Sequence, residues 1–452
     1  MTKMARDLAV DILNRVEEEK AYVNLLLAAR LGQLANPLDR RLTTSLVNGV
    51  IKHRLTLDFA LRRHMRTGLS GLPRDVRQIL RLGTFQLLFM DRIPAAVSVH
   101  ESVEQMKKGR RKYAGLVNGV LRHVGDSGWD LSWPDQRRDP VRYLSLRYSH
   151  PEWLVGRWYR RWGFAETAEL CRIDNEPAPT WIRTNTLKIS RPDLLTRLQE
   201  EGATGEAGER TPESLVIREY GAMEQLPSFR AGLFTVQDES SQIVAHLLGP
   251  RPGDTVLDAC SAPGGKTTHL AQLMANQGRI IAYDVHPHKL KLVEELAERL
   301  GVNIIETRPG DARELPGLAA GTQNRVLVDA PCSGLGILRR KADARWRKEE
   351  HDLTELPQLQ RAILDRAAAM VTPGGELVYS TCTVEPEENF EVIKAFRVDH
   401  PEFTPVDITE SLPFRLTDER DCRQAEKGML QLLPHRHGTD GFFLAKLRRA
   451  GV

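Results

Sequence analysis

The sequence predicts a multidomain chain: an all-helical domain over residues 1–135, a small α+β connector over 136–232, and an α/β domain with a mostly parallel sheet over 233–452. Three observations carry this. The 452 residues allow two to four domains at roughly 150 residues each. Through the first 125 positions apolar residues recur at i, i+3, i+4 and i+7, the spacing of a buried helical stripe. From about position 233, strand-length apolar runs alternate with helical ones, a pattern that specifies a parallel sheet covered by helices on both faces.

In the front part, Ala5-x-x-Leu8-Ala9-x-x-Ile12-Leu13-x-x-Val16 makes one stripe, and the period returns over Leu42 to Ile51, Val76 to Phe89 and Val97 to Met106. Pro37, the run Gly68 to Pro73 and Pro94 break these helices. Gly125-Asp126-Ser127-Gly128 and the stretch Pro134 to Pro140 supply turn formers without periodicity and mark the first boundary.

The connector mixes an aromatic and basic helix with short β-type runs. Trp153, Arg157, Trp158, Tyr159, Arg160, Arg161 and Trp162 have the chemistry to stack on bases and hold phosphates, but the near i, i+4 spacing of the tryptophans favours core anchors. Thr180 to Leu187, rich in β-branched and aromatic residues, reads as a strand, and Ser190 to Glu201 as the following helix.

In the last part the strands are Thr255–Ala259, Arg279–Asp284, Asn303–Thr307, Arg325–Asp329, Glu376–Ser380 and Phe442–Leu447. Helices fall at Gly265–Ala275, Pro287–Leu300, Leu359–Met370 and Glu387–Phe396. In such sheets ligands bind at the carboxyl ends of the strands, where this chain concentrates its reactive residues.

After the first of these strands, Cys260-Ser261-Ala262-Pro263-Gly264-Gly265-Lys266-Thr267 forms a Gly-rich turn into a helix. Glycine lets a ligand approach the backbone, and free N–H groups at the helix start favour anionic or polar groups. Gly265-Lys266-Thr267 matches the tail of a phosphate-binding P-loop, but Cys260 stands where that motif needs its first glycine. Asp284, at the end of the second strand, can accept hydrogen bonds from both ribose hydroxyls of an adenosine-containing cofactor. Asp311 is placed to accept from an adenine amino group. Each aspartate alone also reads as a helix cap, yet Asp284, Asp311 and Asp329 stand at successive strand ends.

Five cysteines at 171, 260, 332, 382 and 422, odd in number and without a Cys-x-x-Cys pair, exclude a disulfide framework and a zinc site, so no metal is expected. They are either core packing or reactive. Asp329-Ala330-Pro331-Cys332-Ser333-Gly334 and Ser380-Thr381-Cys382-Thr383 each follow a strand, which sends both thiols toward one crevice beside the Gly-rich loop.

The net charge of +4 is unevenly spread: residues 1–150 hold 26 Lys+Arg against 15 Asp+Glu. With Lys107-Lys108-Gly109-Arg110-Arg111-Lys112, this front is suited to a polyanion, or else is a solvated helix face. The longest apolar runs, such as Val23 to Ala29, fall far short of the ~20 residues that cross a bilayer. The acid-bearing start Met1 to Lys20 lacks a secretory apolar core, so a cytoplasmic protein without a membrane partner is expected.

Together these motifs resemble the S-adenosylmethionine-using RNA cytosine-C5 methyltransferases. The resemblance runs through Asp258 to Thr267, Asp329 to Gly336, Tyr379 to Thr383, Glu385-Pro386-Glu387-Glu388-Asn389 and Gly438 to Phe443. In the front, Val99 to Val103 and Gly115 to Arg122 resemble a NusB-type RNA-binding domain. The resemblance implies a Rossmann-like class I methyltransferase domain at residues 233–452, S-adenosylmethionine as cofactor, held by Cys260 to Lys266, Asp284, Asp311 and Asp329, and a monomer acting on 16S ribosomal RNA. It also implies that Cys382 attacks cytosine C6 while Cys332 assists proton removal or enzyme release. One departure is visible: where the family commonly has His-Pro-Asp-Ile ahead of a tryptophan, this chain has Lys341-Ala342-Asp343-Ala344-Arg345-Trp346.

Cytosine C5 is too weak a nucleophile to attack a methyl donor unaided, and thiolate addition to C6 makes it an enamine carbon. Asp329 is placed to hydrogen-bond the N3/N4 edge of the ring. Lys266 either lowers a thiol pKa or orients the base, or is a solvated first-turn lysine. The competing readings are a P-loop NTPase, a non-catalytic RNA-binding factor, a DNA cytosine-C5 methyltransferase, which has no use for a second thiol at Cys382, and an enzyme of the same class acting on transfer RNA or 23S ribosomal RNA. Amino-group methylation needs no covalent thiol and usually shows (Asn/Asp)-Pro-Pro-(Tyr/Phe) where this chain has Asp329-Ala330-Pro331-Cys332.

Overall fold

The structure, a computed structural model, describes residues 5–19, 21–66 and 68–451. The start Met1 to Met4, Lys20, Thr67 and Val452 lie outside the described residues. The chain divides into two compact units, one running to Glu176 and including Leu338–Lys348, the other formed by Pro177–Ile337 and the chain from Glu349 onward.

The first unit is helical. Its helices Ala5–Glu19, Pro37–Lys52, Arg74–Phe89 and Ala95–Gly109 contain the four stripes expected from the sequence, and Val23–Arg30, Arg54–Arg62, Ala114–Ser127, Pro140–Tyr148 and Glu152–Ile173 complete it. Starts are set locally: the Asn36 side chain accepts from Leu38 N with Pro37 in the first turn, and Asp139 accepts from Arg142 N ahead of Pro140. The stripes meet in one core through Leu8, Ile12, Leu46, Val50, Leu57, Leu80 and Leu121, all essentially inaccessible to water.

The helix Glu152–Ile173 is kinked at Gly163, whose φ of 75° no ordinary helical residue adopts. Of the three tryptophans expected as core anchors, Trp158 is buried, whereas Trp153 and Trp162 are only partly covered. Four-residue spacing near a helix start does not by itself bury a side chain; a covering element must lie over it. Arg345, from the segment that departs from the family pattern, is fully buried here and donates to Ser149 O at 3.0 Å and Asn175 Oδ1 at 2.9 Å.

The second unit holds two sheets. β1 (Thr180–Thr184), β2 (Thr204–Ala207), β3 (Ser214–Glu219) and β4 (Phe234–Val236) form an antiparallel sheet in the order β2-β3-β1-β4. β4 therefore lies just beyond position 232 while pairing with the connector. The larger sheet contains β5 (Thr255–Asp258), β6 (Arg279–Asp284), β7 (Ile305–Pro309), β8 (Gln323–Asp329), β9 (Val371–Thr381), β10 (Phe403–Pro405), β11 (Met429–Leu432) and β12 (Phe442–Arg449). Their order is β10-β12-β9-β8-β5-β6-β7, with β11 also paired to β12.

Strands β7, β6, β5, β8 and β9 are parallel, β12 runs antiparallel to β9, and β10 pairs antiparallel to β12 at that edge. The chain moves outward from β5 to β7 and then returns to the other side of β5 as β8. That reversal leaves a crevice at the carboxyl ends of β5 and β8. Among the described residues no helix is long and apolar enough to cross a membrane.

Candidate active site

Parallel pairing aligns the strand ends. Asp284 pairs with Pro309 and Asp329 with Ser380, so the turns after β5, β6, β7, β8 and β9 emerge from one edge of the sheet. A cavity of about 220 Å³ opens at the β5/β8 reversal, lined by Cys260 to Pro263, Gly265, Lys266, Asp258 and Asp329, with Gln237 and Asp238 opposite.

The loop after β5 is held from below. Ser261 donates N–H and Oγ–H to Tyr283 O at 2.8 and 3.0 Å, and Thr267 Oγ1 donates to Asp258 Oδ2 at 2.7 Å. Gly264 adopts φ 101° and leads into helix Gly265–Leu273 with no side chain capping its first N–H groups. A Cβ on Gly264 would lie 3.0 Å from Val293 Cα, so this turn has both a conformational and a spatial need for glycine. Burial pushes the Asp258 carboxyl up to about 7, with Asp329 adding to the effect.

Lys266 is not the solvated first-turn lysine that was one reading of it. Its side chain is 14% exposed, its Nζ lies 2.7 Å from Asp329 Oδ2, and its ammonium sits 5.1 Å from the centre of the Phe442 ring. Burial alone would lower its pKa, but the Asp329 charge outweighs that and holds the ammonium above its ordinary value. Asp329 is fixed on its other oxygen by Ser380 Oγ, at 2.8 Å. Lys266 and Thr267 are thus committed to two aspartates, not to a phosphate cradle, which removes the P-loop reading together with Cys260.

The two strand-end thiols meet: Cys332 Sγ and Cys382 Sγ are 3.3 Å apart. The hydrogen bond with Cys382 and burial push the Cys332 thiol well up. Ser333 N donates to Glu388 Oε2 at 2.8 Å, Ser333 Oγ also donates to Glu388, and Gln360 Nε2 bridges Pro331 O and Glu388 Oε2 at 3.0 and 2.9 Å. On the other side Asn389 Nδ2 donates to Thr383 O at 3.0 Å. The Glu388-Asn389 pair therefore clamps both cysteine loops. Nothing in the local sequence marks a role for Ser333, Gln360, Ser380 or Gln237, and the one signal for the clamp is the run Glu385 to Asn389.

The acids expected to bind a cofactor stand round Cys260, whose thiol is pushed well up by burial and then by Asp258, Asp329, Asp284 and Asp311. Asp284 and Asp311 lie outside the cavity lining, at the ends of β6 and β7. Asp284 Oδ1 accepts from His286 N at 2.8 Å, and Asp311 pairs with Arg313 and accepts from its backbone N–H at 2.8 Å. Both thus make the turn-capping contacts of an isolated aspartate while facing the same edge of the sheet.

Comparison with known proteins places this geometry. "Probable ribosomal RNA small subunit methyltransferase B" of Bacillus subtilis is 40% identical over 99% of each chain, and the protein of the same description from Synechocystis is 38% identical over 99% of each. Residues 245–448 match the family "16S rRNA methyltransferase RsmB/F". The chain belongs to the RsmB/F methyltransferases. Residues 3–126 match the NusB family and 150–224 the ferredoxin-like domain of RsmF/B proteins, which accounts for the helical front and the antiparallel sheet. Among solved structures, that of PH0851 has a TM-score of 0.80 at 28% identity, covering 99% of this chain and 100% of that one. NSun6 from Pyrococcus horikoshii with SFG has a TM-score of 0.60 at 26% identity, covering 67% of this chain and 99% of that one.

The methyl donor of this RsmB/F protein is S-adenosylmethionine. The residues present fit it. Uncapped N–H groups at Gly265 and Lys266 suit the polar amino-acid end, and the Asp258 and Asp329 carboxylates on the cavity wall suit a sulfonium cation. Arg183, buried in β1, reinforces the loop from behind, donating to Gly265 O at 2.6 Å and Thr268 Oγ1 at 3.0 Å.

Proposed function

We propose that this enzyme methylates C5 of a cytosine in 16S ribosomal RNA through a covalent bond between Cys382 and C6 of the base. The observation that carries the reading is the pair of thiols at 3.3 Å, at the ends of adjacent parallel strands and beside the Lys266–Asp329 ion pair. When bound, S-adenosylmethionine supplies an electrophilic methyl group. The residues of the chain do the rest.

Cys382 adds to C6 as the thiolate. Lys266 feels the Cys382 charge, and its ammonium favours that thiolate. Cys332, with its raised pKa, keeps its proton at neutral pH, which supports Cys382 as the attacking group and Cys332 as its hydrogen-bond donor. Addition saturates the C5–C6 bond and pushes electrons toward N3, where Asp329 is placed to hold the N3/N4 edge. C5 then takes the methyl group, a base removes the C5 proton, and the Cys382–C6 bond breaks to restore the ring. Cys332, which keeps its proton, serves this last stage in release, its thiol donating to the departing Cys382 sulfur. The base must reach the thiol unstacked, since C6 is covered in a stacked helix.

The test is a ribosomal RNA fragment carrying 5-fluorocytidine, whose C5 has no proton to lose. The expected outcome is a protein–RNA adduct stable to denaturation, with 5-methylcytidine as the product on ordinary RNA. A methyl group found on another atom, or no adduct with the fluorinated base, would overturn the reading.

A further inference from the structure

Among the arginines of the first unit, four line a cavity that the chemistry above does not use. It has a volume of about 420 Å³ and lies between helices Arg54–Arg62, Pro140–Tyr148, the start of Glu152–Ile173 and the one-turn helix Ala344–Arg347. Arg54, Arg62 and Arg142 line it with Arg345 and Lys348, against one acid, Glu152. Its remaining wall combines the aromatic rings of Phe59, Trp153 and Trp346 with aliphatic and small residues. Pockets of about 300–1,000 Å³ suit small ligands or single groups of a larger one.

The walls are rigid where a ligand would press on them. Arg345 is fully buried and bonded to Ser149 O and Asn175 Oδ1, and it fixes the segment that carries Trp346. Trp346 Nε1 donates to Ile51 O at 2.7 Å, which holds its ring, and the Arg54 guanidinium lies 4.4 Å from that ring's centre. Arg62 and Arg142 have exposed side chains, and neither makes an ion pair among the described residues. Burial and then the Arg81 charge pull the Arg54 guanidinium below its ordinary value, against the Asp58 and Glu17 charges.

A site rich in arginine with flat indole faces recognises phosphate joined to an aromatic base. An acidic peptide would satisfy the charges and leave the rings unused. We propose that this cavity holds one nucleotide of single-stranded RNA, its phosphate against Arg62 and Arg142 and its base against Trp153 or Trp346. The proposal rests on the ribosomal RNA substrate argued above and assigns the first unit a defined RNA subsite of its own. Aromatic stacking tolerates any base, so this subsite sets register and leaves the choice of target base elsewhere.

The full-length R62Q/R142Q protein tests this, because both side chains are exposed and their loss leaves the core intact. Binding of a short single-stranded oligoribonucleotide is measured against salt, with S-adenosylmethionine affinity by calorimetry as the check that the second unit is folded. The expected results are about a tenfold weaker RNA affinity and a salt slope shallower by about 0.7, from the one phosphate that the two arginines share. W153F serves as a second variant that keeps a ring, with affinity nearer wild type than that of W153A. Ultraviolet cross-links in the wild type should fall on peptides containing Trp153 or Trp346. Wild-type affinity and slope in R62Q/R142Q, or cross-links confined to other peptides, would overturn the proposal. So would an acidic peptide whose binding is lost in that variant while RNA binding is kept. Methylation of a base other than cytosine by an enzyme that still cross-links at this cavity would support the subsite and overturn the cytosine reading alone.

Discussion

Cys332 Sγ stands 3.3 Å from Cys382 Sγ although the two residues are 50 positions apart, because Asp329 and Ser380 are register partners in adjacent parallel strands. Two thiols this close cannot both ionise readily, and the hydrogen bond with Cys382, then burial, then the Cys382 charge push the Cys332 thiol well up. We therefore expect unlike outcomes from the two substitutions. Cys382→Ala should lower methyl transfer by roughly six orders of magnitude, as removal of a nucleophile does. Cys332→Ala should still transfer methyl but leave protein attached to RNA, seen as a retarded band on a denaturing gel. The opposite pattern would exchange the two roles.

The Lys266–Asp329 pair is 14% and 27% exposed, so removing one partner strands a largely buried charge. Asp329→Asn should destabilise the protein by about 3 kcal/mol, read as a lower urea midpoint. The pH dependence has a definite sign. Lys266 has a folded-state pKa raised above its unfolded one. The stability it contributes is full below the unfolded pKa, about 10.4, and is lost only as pH rises through the higher folded value. In Asp329→Asn, burial acts on the ammonium against only the smaller Cys382 and Asp258 charges, and that contribution shrinks.

What was legible in the sequence and what was not have a common physical cause. Strand β6 and helix Pro287–Leu300 match the expected spans to the residue, because Pro287 and Gly301 bracket the helix and the apolar run Ile280 to Tyr283 ends at Asp284. The short β10 and β11 escape: four residues or fewer show no alternation, and each is fixed by pairing with β12. In the site, Cys332 and Cys382 are readable because each follows an apolar strand. The clamp made by Ser333, Gln360 and Glu388 is not, since it joins positions 28 and 55 residues apart through side chains that look ordinary in their own segments.

Asp258 links cofactor binding to pH. Its carboxyl, pushed up to about 7 by burial, is part-protonated in the free enzyme at neutral pH. A sulfonium cation in the cavity that Asp258 lines favours the carboxylate, so the complex holds fewer protons than the free protein. S-adenosylmethionine affinity should therefore rise with pH up to about 7, with proton release visible as a dependence of calorimetric heat on buffer ionisation. Asp258→Asn should abolish that dependence. Persistence of the proton release in the variant would place its source elsewhere.

Gly336 follows the Cys332 loop and packs backbone to backbone. A Cβ there would lie 2.1 Å from Gly441 O and 2.9 Å from Cys382 O. Neither obstacle is a flexible side chain, so Gly336→Ala must move a strand-end loop. Overpacking of this kind costs about 1–3 kcal/mol. Cys382 O is one of the two obstacles, which makes methyl transfer more sensitive than stability. A loss of activity of at least tenfold with a modest fall in melting temperature is expected, and wild-type turnover would show that the loop position is not critical.

Acid should unfold the first unit through its buried histidines. Burial pulls His53 down to about 3, and burial with the Arg345 charge pulls His150 well below its ordinary value. Each stays neutral in the folded state where the unfolded chain takes up a proton below about 6.5. The unfolded state thus binds more protons over this interval, and stability rises with pH, by about 1.4 kcal/mol per unit for each such histidine. It is fully present above about 6.5 and is lost as pH falls toward the depressed folded values. His53 stacks on Phe89 with ring centres 4.0 Å apart, so His53→Phe keeps an aromatic ring in the stack and removes the titration. Urea unfolding of this variant between pH 4 and 6 should show a stability slope shallower by one proton, and an unchanged slope would mean that His53 is accessible to protons in the folded unit.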